Sequence, residues 1–64
     1  MMNVTIWHNS NKYSISPINH NKIYERLRKL GYEHELASDA ASWCELACIG
    51  ETYYLPDGEI DIEG

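Results

Sequence analysis

Thr52-Tyr53-Tyr54-Leu55-Pro56-Asp57-Gly58-Glu59-Ile60-Asp61-Ile62-Glu63 decides the fold class. From Glu59 to Glu63, acids and isoleucines alternate without a break. Successive side chains of a strand point to opposite faces, so Ile60 and Ile62 face inward and Glu59, Asp61 and Glu63 face out. Thr52–Leu55 reads as the preceding strand. Pro56-Asp57-Gly58 between them is a turn, because proline presets φ and glycine accepts φ > 0. The stretch is therefore a β-hairpin with one apolar side.

The same pattern opens the chain. In Met2–His8, Met2, Val4 and Ile6 alternate with Asn3, Thr5 and Trp7, which predicts a strand with Val4 and Ile6 inward. Asn9-Ser10-Asn11 is a turn cluster, and Lys12–Ser16 returns to period two with Tyr13 and Ile15 on one face. Ser16-Pro17 then ends strand character. Asn19 or Asn21 caps a helix running to about Leu30, with Ile23, Leu27 and Leu30 as its core stripe. Arg26, Arg28 and Lys29 complement its C-terminal dipole, and Gly31 fits the left-handed position beyond it. A second helix spans about Glu33–Cys48, with Ser38-Asp39 as an alternative start. Leu36, Ala40, Trp43 and Ala47 form its stripe, Trp43 as the anchor, and Ala37, Cys44 and Cys48 widen it. Gly50 ends it. The expectation is an α+β domain in the order ββααββ. Its four antiparallel strands form one sheet, with both helices on a single face that the pattern does not specify.

At 64 residues the chain is one domain, 1–64, and 44% apolar residues suffice for a small core. No apolar run approaches the roughly 20 residues of a membrane span, so no membrane partner is expected. The N-terminal residues lack a basic region followed by an apolar stretch, so they do not read as a secretory signal. Cys44 and Cys48 are the only cysteines. They read as reduced, buried thiols, which with the missing signal points to the cytoplasm.

Charge is distributed unevenly. Residues 1–32 hold all five basic residues and one acid, giving 5 − 1 = +4, and residues 33–64 hold nine acids and no Lys or Arg, giving −9. Glu59, Asp61 and Glu63 form a comb whose teeth lie about 6.6–6.8 Å apart. Such a comb presents regularly spaced anions over several phosphates' length of a nucleic-acid strand, which rises about 3.4 Å per phosphate. Asp57, Glu51 and Glu45 extend it. The competing reading is an edge strand that carries charge to stay soluble and unpaired. The cations Arg26, Arg28 and Lys29 do not share one face. A net charge of −5 also attracts a polyanion poorly, so these residues read as a solvated face that pairs with the acidic half or with a partner's acids.

No chemistry-bearing motif is present. His8, His20 and His34 with the C-x3-C pair lack the spacing of a zinc finger, so no metal or other cofactor is expected. There is no nucleophile elbow and no Gly-rich phosphate loop, so an enzyme is not expected. The paired carboxylates read as solvent-facing, without burial to separate their pKa values. Trp7 and one of Tyr53 or Tyr54 should lie on the outer sheet face as interface aromatics.

In length, acidity, cysteine usage and lack of an active site, the chain resembles the small single-domain proteins of phages and mobile elements, including anti-CRISPR proteins and anti-restriction DNA mimics. The resemblance implies a protein inhibitor that occupies a basic nucleic-acid-binding surface, such as that of a CRISPR effector. Glu59, Asp61, Glu63, Asp57, Glu51 and Glu45 would make the contact, as a local plug of one groove. The alternative is a self-associating or accessory module that buries Trp7 and Tyr54, monomer or homodimer, with acids that only solubilise it.

Overall fold

A computed structural model describes residues 2–64. The element order is β1 (Asn3–His8), β2 (Asn11–Ile15), α1 (His20–Lys29), α2 (His34–Leu46), β3 (Thr52–Leu55) and β4 (Gly58–Glu63). The strands form one antiparallel sheet in the order β2-β1-β4-β3. The expected α+β architecture is present, with both helices on one sheet face.

Local chemistry accounts for most boundaries. Asn9 (φ 49°) and Ser10 (φ 70°) make a two-residue hairpin turn with both residues left-handed, the hand that matches strand twist. The Asn19 side chain caps α1 by accepting from the Lys22 N–H at 3.1 Å, which settles the choice between Asn19 and Asn21. Gly31 (φ 103°) follows the helix end, as its position predicts.

Three local expectations are corrected. The left-handed residue of the β3–β4 turn is Asp57 (φ 64°), not Gly58. Gly58 opens β4, where an added Cβ would lie 1.9 Å from the Trp7 carbonyl oxygen. Close strand approach, rather than turn handedness, requires the glycine. Helix α2 starts at His34, so Ser38 and Asp39 lie inside it. It stops at Leu46, because Ala47 is extended (ψ 156°). Its last turn has no basic residue, and the Glu51 carboxylate takes the Cys48 N–H at 2.7 Å. Cys48 is therefore off the helix and exposed, whereas Cys44 is buried.

The core joins Val4, Ile6, Ile60, Ile62 and Leu55 of the sheet to Ile23 and Leu27 of α1 and to Ala37, Ala40, Ala41 and Cys44 of α2. Each fully buried Ile or Leu contributes about 1.5–3 kcal/mol. The buried stripe of α2 is its small-residue face. Leu36 and Trp43 flank that face half-buried, and Trp43 rests on Tyr53 with ring centroids 5.2 Å apart. Leu30 likewise packs at the margin. A polar clasp pins the α1–α2 loop to the strand ends. Tyr32 Oη donates to the Pro56 carbonyl at 2.6 Å, and His8 Nδ1 meets Tyr32 Oη at 2.8 Å. Asn9 Nδ2 donates to His8 Nε2 at 3.2 Å. One neutral imidazole, protonated on Nδ1, satisfies all three bonds.

The sheet order overturns the edge-strand reading of the comb. β4 pairs with β1 on one side and β3 on the other. Its acids lie at the middle of the sheet, and its backbone has no free edge to protect.

Candidate functional site: the uncovered sheet face

The residues that alternate with the core form the face away from the helices. Register sets them in rows. Lys12, Trp7, Glu59 and Tyr54 make one row across all four strands. Ser14, Thr5, Asp61 and Thr52 make the next, and Asn3 and Glu63 begin a third. Glu59 thus sits between two exposed aromatics, Trp7 at 38% and Tyr54 at 78% exposure. Tyr53 is the tyrosine on the helix side, which resolves the Tyr53–Tyr54 pair.

Hydrogen bonds hold the acids in place. Thr52 Oγ1 donates to Asp61 Oδ1 at 2.9 Å, and Thr5 Oγ1 donates to Glu63 Oε1 across the sheet diagonal. Thr5 is buried although it points away from the helices, because its neighbours close over it. A hydrogen bond with Asp61 raises the Glu59 carboxyl above its ordinary value; partial desolvation and the Asp61 charge add to the effect. Lys12 Nζ lies 5.7 Å from the Trp7 ring centroid, so the indole already attracts a cation.

Trp7, Ser10, Asp57, Glu59 and Asp61 surround an open depression of about 500 Å³ at one end of this face. Six expected site residues are brought together on this face or at its rim: Trp7, Tyr54, Asp57, Glu59, Asp61 and Glu63. Two are not. Glu51 turns its carboxylate to the Cys48 N–H, and Glu45 meets His20 Nδ1 at 3.0 Å in the helical layer. The spacing did not single out Lys12, Thr5 and Thr52, although period two places Thr5 with Trp7 and Thr52 with Tyr54.

The two halves of the charge split do not neutralise each other. Among the described residues the one ion pair is His20–Glu45, so the expected pairing of Lys and Arg with the acidic half is absent. Arg26 instead stacks 5.1 Å from the Tyr13 ring centroid, and Arg28 donates to the Tyr32 carbonyl at 2.8 Å. Among the described residues no group of three His, Cys, Asp or Glu side chains is arranged to hold a metal ion, and no helix is long and apolar enough to cross a membrane. No protein-family model, curated protein or solved structure matches the chain.

Proposed function

We propose that the uncovered sheet face binds a basic protein surface and that the chain acts as an inhibitor of a nucleic-acid-binding complex, in the manner of an anti-CRISPR protein. One observation carries this reading. Glu59, Asp61 and Glu63 stand at the centre of an unpartnered face, flanked by exposed Trp7 and Tyr54. Carboxylates held by threonine hydroxyls lose little freedom on binding, which lowers the cost of association. Aromatic neighbours supply apolar area at low entropy, and Trp and Tyr dominate interface hot spots. The partner is a groove lined by Lys and Arg, and inhibition is competition for that groove in the host cytoplasm. No catalytic step is involved.

The test is capture of a CRISPR effector complex on immobilised protein at low salt, with release at high salt and competition by the effector's cognate DNA. The triple variant Glu59→Ala, Asp61→Ala, Glu63→Ala, folded by circular dichroism, should fail to capture it. Unchanged capture by the folded variant would refute the reading. Exposure of Tyr54 and Trp7 supports a second reading, in which this face closes on a copy of itself. A dimer seen by light scattering, insensitive to salt and lost in Tyr54→Ala, would favour that reading.

A further inference from the structure

A second surface, along the β2 edge of the sheet, has its own chemistry. Lys22, Arg26 and Lys29 follow i, i+4, i+7 on α1 and therefore share a stripe, one residue out of phase with Ile23, Leu27 and Leu30. That stripe faces the free edge of β2. The two enclose a groove of about 300 Å³, with Ser14 and Ser16 on the strand side and Glu25 as the single acid. β2 has a neighbour on one side only, so the outer edge of its backbone has no strand partner. Lys22 and Lys29 are exposed, and no carboxylate of the chain pairs with any of the three cations among the described residues.

We infer that this groove docks an extended acidic segment of a partner polypeptide, added as a fifth strand along β2. A free strand edge supplies main-chain hydrogen bonds, and side-chain pockets beside it supply specificity. The geometry fits a strand with carboxylates on alternate residues. Lys22 and Lys29 stand about 10 Å apart along the helix, from a rise of 1.5 Å per residue. Two carboxylates on alternate strand positions span about 6.6–6.8 Å, within that reach. A nucleic-acid strand fits less well. The nearest ring, Tyr13, is already covered by the Arg26 guanidinium, which leaves no free aromatic platform for a base. The net charge of −5 also opposes a long polyanion.

The probe is a fluorescein-labelled peptide, Gly-Glu-Ile-Asp-Ile-Glu-Gly, the alternating pattern of residues 58–64. Anisotropy at low salt should rise saturably. The surface variant Lys22→Glu, Lys29→Glu, with an unchanged circular dichroism spectrum, should bind about tenfold more weakly. Glu59→Ala on the uncovered face should bind as the parent does, which separates this site from the proposed inhibitor surface. Two further peptides, N-methylated on alternate residues, test strand addition, because only alternate N–H groups face a neighbouring strand. One of them should lose binding. The inference is overturned if the parent peptide does not bind, if the charge-reversed variant binds it equally, or if both methylated peptides bind like the parent. It is also overturned if an oligothymidylate of equal charge, or inorganic phosphate, occupies the groove more tightly than the peptide.

Discussion

The two faces of the sheet come from the same four strands and differ by one residue of phase. On the helix side, Val4, Ile6, Ile60 and Ile62 are buried and exchange contacts with two helices. On the other side, Trp7, Glu59, Asp61 and Tyr54 touch only their neighbours across the strands. Stability therefore resides on the covered face, and the proposed recognition on the uncovered one. The uncovered face has ties of its own, because the hydroxyls of Thr52 and Thr5 hold Asp61 and Glu63.

The largest effect should come from breaking the covered side. Ile60→Ala is expected to cost about 2–5 kcal/mol, a large share of what a domain this small holds, whereas Tyr54→Ala on the same sheet should stay within about 0.5 kcal/mol. Denaturant melts of both proteins check the contrast, and equal losses would end it. Gly58→Ala should be intermediate, at about 1–3 kcal/mol, because its Cβ would force β4 away from Trp7. The measured loss should appear as a lower denaturation midpoint at unchanged slope.

A smaller effect concerns pH. Glu59 has a folded-state pKa above its unfolded value, so protonation favours the folded form. Its contribution is fully present below the unfolded pKa and is lost as pH rises through the folded one. Glu59→Gln imitates the protonated form and should flatten that part of the melting temperature–pH profile. An unchanged profile would show that the Glu59–Asp61 contact is absent in solution. The smallest effect, without a change in stability, concerns the thiols. Burial, with Glu45 adding to it, pushes the Cys44 thiol up to about 12, while Cys48 is exposed. A thiol reagent at neutral pH should modify Cys48 in the native protein and Cys44 only after unfolding, as peptide mapping would report.

Local rules reached far along this chain. Alternation marked three of the four strands, the turn at Pro56-Asp57-Gly58 placed β3, Asn19 or Asn21 and Gly31 bounded the first helix, and the outward phase of Glu59, Asp61 and Glu63 was legible from EIDIE alone. Helix α2 was read one residue too long at its start and two at its end, where Glu51 reaches back to the Cys48 N–H, a contact that periodicity does not encode. The candidate site was half legible. The comb and its aromatics share a phase, but Glu45 and Glu51 share only a sign of charge, and charge carries no position. The basic stripe was passed over because Arg26, Arg28 and Lys29 are adjacent in sequence, whereas Lys22, Arg26 and Lys29 are adjacent in space.

By itself, the sequence determined the six elements, the inward and outward phase of β1 and β4, and the separation of charge between the two halves. Period two, helical spacing and turn chemistry act over a few residues and need no partner. Only the tertiary structure decided that β4 lies inside the sheet, which face the helices cover, and that Trp7, Glu59 and Tyr54 align in one row. Those outcomes rest on pairings between residues more than forty positions apart, such as Thr5 with Asp61. They follow from burying one apolar face of all four strands at once, a condition that no single segment contains.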